Sequence, residues 1–171
     1  MSKAVLISIR PKWCQLIALG KKTLEIRKST PHLPRPFKCY IYCTKGDKHS
    51  TLCIKDGNEY GCGKAFGYCT QDGNEYNCGK AFRKLYCGKV IGEFICDNIV
   101  NTFSDSGFWV QDNVVNGSCL SPAKIRIYAN GRKLYAWHIS NLVIYDNPKE
   151  LSEFGLKRPP QSWCYVKELE E

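Results

Sequence analysis

No apolar run in this chain approaches the ~18 residues that a membrane-crossing helix needs, and the N-terminus lacks the pattern of a secretory signal. Those absences speak against a helical membrane protein and predict a cytoplasmic one. Carboxylates are scarce at the start: within residues 1–50, Glu25 and Asp47 stand against eleven Lys and Arg. The formal charge of +9 therefore sits wholly in residues 1–50, and residues 51–171 sum to zero. Charge kept for solubility is scattered and mixed in sign. An excess gathered in one segment instead concentrates anions and favours nucleic acid, with an affinity that falls steeply as salt rises. Also missing is any Cys-x-x-Cys knuckle, although there are eleven cysteines. Their number is odd, so they cannot all pair within one chain. Without a secretory signal they read as free thiols or metal ligands rather than disulfides.

What is present has the bulk of one ordinary domain: 171 residues, 43% apolar and 12% aromatic, enough for a real core. Residues 4–9, 37–44, 90–95, 133–140, 142–145 and 163–167 read as short strands. A helix over 11–19 has Pro11 in its first turn, Trp13, Leu16 and Ile17 at helical spacing, and Gly20 just past its end. A second, Pro122–Ala129, follows the N-cap residue Ser121 and stops near Asn130-Gly131. Residues 29–36 hold three prolines and read as an ordered loop, and 103–118 as a short strand or a covering loop. Gly92 inside a strand implies a bulge or a close backbone approach. Short strands dominate and helices sit at the margins, which fits a mainly β protein, a decorated β-barrel, better than a layered α/β sheet.

The run G-K-K-T-L-E-I-R at residues 20–27 carries the chemistry. After Gly20 the period changes from helical to alternating, so Leu24 and Ile26 take one face of a strand while Thr23, Glu25 and Arg27 take the other. With Lys22 at the entry, that face holds two cations, a carboxylate and a hydroxyl. The bland alternative is a solvated strand with a Glu–Arg pair.

Residues 53–66 (C-I-K-D-G-N-E-Y-G-C-G-K-A-F) recur at 69–82 (C-T-Q-D-G-N-E-Y-N-C-G-K-A-F). Each copy has an Asp-Gly turn signal and a cysteine at either end of a candidate hairpin. A Cys-rich duplicated insertion over 46–86, within a single domain spanning 1–171, is the favoured reading. The rival is a zinc site built from Cys53, Cys62, Cys69 and Cys78, four thiols being enough for a tetrahedral ion. Their separations of nine, seven and nine residues are unlike those of zinc motifs. No cofactor is expected otherwise.

The 20–27 run, with L-I-S-I-R-P-K-W at 6–13, G-K-V-I-G-E-F at 88–94, W-H-I-S at 137–140 and R-P-P-Q-S-W-C-Y at 158–165, resembles the ASCH family of the PUA-like superfamily. The resemblance covers most of the chain outside residues 46–86. It implies a twisted, partly closed β-barrel with short peripheral helices, a basic cleft beside the Gly-x-Lys motif, and a role in RNA or modified-nucleoside chemistry. Some ASCH-like proteins are amidohydrolases in which the residue two before the motif's arginine is a threonine nucleophile, aided by the motif's lysine. Lys22 matches that lysine, but Glu25 stands where the nucleophile would be.

Two readings follow. In the favoured one, an RNA- or nucleotide-like ligand is bound by Arg10, Lys12, Lys22, Thr23, Glu25 and Arg27. Arg27 makes a bidentate contact, and Tyr42 and Trp137 stack on unpaired bases. In the other, the protein is a hydrolase acting on RNA or a modified nucleoside, with Lys22 and Glu25 catalytic and His138 shuttling a proton. A zinc-binding interaction module is a third.

Overall fold

The computed structural model describes residues 2–46, 53–55, 58–60, 79–103 and 109–169. Among these described residues, ten strands and four helices follow in the order β1 (Lys3–Ile9), α1 (Pro11–Ala18), β2 (Leu24–Arg27), β3 (Phe37–Cys43), β4 (Cys53–Lys55), β5 (Asn58–Tyr60), α2 (Gly79–Tyr86), β6 (Val90–Cys96), β7 (Ile99–Asn101), α3 (Asp112–Ser118), α4 (Pro122–Ala129), β8 (Tyr135–His138), β9 (Ser140–Lys149) and β10 (Trp163–Lys167). A 3-10 turn, Leu151–Phe154, lies between the last two strands.

Five strands form one sheet in the order β10-β1-β3-β6-β9, with β1 and β3 parallel at its heart. Both faces of this sheet are covered, which is why β1 is buried from Ala4 to Ile9 and is apolar there on both faces except at Ser8. Val5, Ile7, Ile9, Cys39, Ile41 and Cys43 face the main core with Cys14 and Ile17 of α1, Phe82 and Tyr86 of α2, and Trp137. Ala4, Leu6, Tyr40 and Tyr42 point the other way, against Phe154 and Val166. Gly92 sits at a register shift, where a Cβ would lie 2.2 Å from the Val143 carbonyl oxygen, the close approach its position in a strand implied.

A second sheet runs β2-β8-β7. Its Leu24, Ile26 and Ala136 pack on Val114 of α3 and on Ile125 and Ala129 of α4. The expected barrel is not confirmed: among the described residues the strands form separate sheets, bounded by β10 and β9 in one and by β2 and β7 in the other. At the seam between β1 and β2 no ladder forms. The Arg27 guanidinium reaches the Ser8 carbonyl across it at 2.6 Å, and the Thr23 N–H is spent on the Gly117 carbonyl at 2.8 Å.

Of the duplicated segment, β4 and β5 form an antiparallel pair with Lys55 opposite Asn58, matching the hairpin expected for the first copy. The second copy lies outside the described residues up to α2. That helix is no mere decoration, since Phe82 and Tyr86 are built into the main core. No helix among the described residues is long and apolar enough to cross a membrane.

Candidate functional site

The site begins at the end of α1. The Gly20 N–H donates to the Ile17 carbonyl at 2.8 Å and the Lys21 N–H to the Leu16 carbonyl at 2.9 Å. This paired closure requires a left-handed residue after the helix, and Gly20 supplies it with φ of +70°. The reversal delivers Lys22 to the entry of β2. There its side chain is 2% exposed.

Lys22 Nζ donates to the Leu24 carbonyl at 2.7 Å and the Ser118 carbonyl at 2.9 Å, and lies 3.3 Å from Glu25 Oε2. Three acceptors match the three hydrogens of an ammonium. The other carboxylate oxygen, Glu25 Oε1, is 3.0 Å from Arg27 Nη2. Arg27 Nη1 reaches Ser162 Oγ at 3.4 Å, while its Nε has no hydrogen-bond partner among the described residues. A buried chain Lys22–Glu25–Arg27 results, with one net positive charge. Burying such a chain repays its desolvation only where hydrogen bonds complete it, as the Ser8, Leu24 and Ser118 carbonyls do here.

Beside this chain lies a cleft of about 640 Å³. Its walls include Ser8 and Arg10 from β1 and the turn after it, Trp13 of α1, Thr44, Lys124 and Tyr128 of α4, and residues 159–161. Four cations (Arg10, Lys22, Arg27, Lys124) meet one carboxylate, Glu25, so the cleft is basic. Arg10 and Lys124 are exposed, unlike the buried pair. Trp13 is flanked by the Lys12 and Lys22 ammoniums, each 5.4 Å from its ring centre, and Lys28 lies 4.8 Å from the ring of Tyr128.

Of the residues singled out in the sequence, Arg10, Lys22, Glu25 and Arg27 meet in the cleft. Lys12 stays on the Trp13 ring and outside the cleft lining. Thr23 is exposed and does not line the cleft, because β2 starts only at Leu24 and the strand alternation does not reach back to it. Tyr42 is 3% exposed and packs on the far face of the five-stranded sheet, since strand alternation puts it opposite Ile41. Trp137 lies across from Glu25 on β8 but is fully buried, against Phe37 and Trp163, so its ring is core rather than a stacking platform. His138 is opposite Leu24, and directly opposed residues share a face, so it points away from Glu25. Its Nδ1 is 2.7 Å from Asp97 Oδ1, and that bond holds the Asp97 carboxyl below its ordinary value.

Lys124 and Tyr128 join the cleft from outside the residues that the sequence motifs point to. The signal was available: four residues apart, they share a helix face beside the one that Ile125 and Ala129 bury. Of the zinc candidates, Cys62, Cys69 and Cys78 lie outside the described residues, and Cys53 is described only as a strand position. Among the described residues no group of three or more His, Cys, Asp or Glu is placed to hold a metal.

No protein-family model and no curated protein matches the chain. Solved structures do. The ASCH protein from Zymomonas mobilis superposes with a TM-score of 0.61 at 19% identity, covering 96% of this chain and 88% of that one. Its Tyr-to-Phe variant gives 0.61 at 20% identity, with 98% and 92% covered. A Ser-to-Ala variant of the same protein gives 0.60 at 20%, with 96% and 89% covered. At such identity the likeness is one of fold, and over nearly its whole length this chain has the fold of the Zymomonas mobilis ASCH structures.

Proposed function

We propose that the cleft binds RNA or a nucleotide-like ligand. The observation that carries this reading is the excess of four cations over one carboxylate around a cavity large enough for a nucleotide. The ASCH fold supports it, as does the segregation of all net charge into residues 1–50, from which three of those four cations come. Lys22 is engaged with Glu25 and two backbone carbonyls, and Glu25 with Lys22 and Arg27, so they shape the floor and its field. Arg10 and Lys124 are the cations with room to contact phosphate, and Tyr128 presents an aromatic ring at the rim.

The hydrolase reading asks Glu25 to take a proton or attack, yet both its oxygens already face cations. We assign it the orientation of Lys22 and Arg27. Fluorescence anisotropy with a labelled single-stranded RNA tests the binding. Arg10→Ala with Lys124→Ala should weaken affinity about thirtyfold, each lost phosphate contact being worth on the order of 1 kcal/mol, while leaving the thermal midpoint unchanged. Unchanged affinity in the double variant would remove the cleft from consideration.

A further inference from the structure

Three thiols that the cleft does not use converge at the stem of segment 44–86. Cys43 ends β3 and Cys87 follows α2. Backbone bonds clamp the two chain segments together: the Gly88 N–H donates to the Cys43 carbonyl at 2.8 Å, and the Cys43 N–H to the Lys89 carbonyl at 2.9 Å. This pairing holds the two Sγ atoms 3.8 Å apart, although the residues are 44 positions apart in sequence. Cys14 of α1 adds a third sulfur, hydrogen-bonded to Cys43. Cys14 and Cys43 are buried, whereas Cys87 is half-exposed.

The trio does not have the placement of a metal cage. We propose that Cys43 and Cys87 are a dithiol–disulfide site, oxidised by a low-molecular-weight disulfide, whose bridge covalently closes the stem of segment 44–86. The half-exposed Cys87 makes the first attack. Its thiolate displaces one small thiol from the oxidant and leaves a mixed disulfide. The Cys43 thiolate then attacks the Cys87 sulfur and expels the second small thiol. Two electrons pass from the protein to the oxidant, and the two protons released by Cys43 and Cys87 go to the departing thiolates.

The surroundings set the kinetics. The hydrogen bond to Cys14, with burial, pushes the Cys43 thiol up against an opposing hydrogen bond to Cys87, and the hydrogen bond to Cys43 and then burial push Cys87 up. Such thiols form thiolate reluctantly, so oxidation is slow near neutrality and faster in mild alkali. They are also poor leaving groups, so the bridge once made resists reduction. Closing so long a loop restricts the unfolded chain strongly.

Reduced full-length protein, desalted and incubated with oxidised glutathione at about pH 8.5, where an ordinary cysteine is half thiolate, provides the test. Free thiols are then alkylated and the peptides mapped. The expected result is a peptide pair linked through Cys43 and Cys87, with a thermal midpoint roughly 5–10 °C above that of the reduced protein. Cys87→Ser should lose both the link and the upward shift. Should that variant not fold, the wild-type map decides alone. Cys43 and Cys87 both remaining alkylatable would overturn the proposal. So would a link from Cys87 to any other cysteine, or stoichiometric thiophilic metal in the reduced wild type that Cys87→Ser releases.

Discussion

Lys22 is desolvated almost completely, so its contribution is not that of a surface charge. Removing the ammonium strands the Leu24 and Ser118 carbonyls and leaves Glu25, among the described residues, with Arg27 as its remaining charged partner. A Lys22→Met variant keeps the length of the side chain and deletes these three interactions. It should lose about 3 kcal/mol of stability, the scale for breaking a buried pair, read as a lowered urea midpoint. A loss below about 0.5 kcal/mol would mean that the chain of charges is solvated like a surface pair. The same geometry separates the roles of the cleft's cations. Lys22 and Arg27 build the floor, and Arg10 and Lys124 meet what lies on it.

Helix α1 and the turn at Gly20 are the element that places Lys22. An Ala at that position meets no neighbouring atom within 4 Å, so its cost is conformational alone. Gly20→Ala should therefore cost about 1–2 kcal/mol, measured by denaturant unfolding, for a left-handed residue that now carries a Cβ. A neutral result would show that the turn relaxes to another closure. This turn was legible because Pro11, the helical spacing of Leu16 and Ile17, and Gly20 all agree. Helix α4 was legible for the same reason: Ser121 accepts from the Lys124 N–H and Asn130 ends the helix left-handed. Helix α3 was not, since of its apolar residues only Val114 is fully buried and Asn and Gly interrupt the rest. Alternation told which strand residues share a face but not whether that face is covered. Tyr42 and Trp137 were therefore read as accessible, whereas packing above each sheet buries them. The division of the described strands into separate sheets was beyond reach too, because strand order depends on long-range pairing that no local pattern encodes.

At the scale of the molecule, the charge segregated into residues 1–50 becomes a place. Arg10, Lys22 and Arg27 come from three successive pieces of chain, and the fold adds Lys124 from a segment more than ninety residues on. Neutralising phosphates with such a cluster releases counterions, so the salt dependence of binding counts the contacts made. The most direct measurement is the affinity of the full-length protein for single-stranded RNA across a series of salt concentrations, with the Arg10→Ala and Lys124→Ala double variant alongside. The wild type should bind with a log–log salt slope of about −1.4, from the two phosphate contacts of Arg10 and Lys124, and the double variant should lose nearly all of that slope. A wild type with no measurable affinity at low salt, or with a slope near zero shared by the double variant, would contradict the basic cleft as a nucleic-acid site.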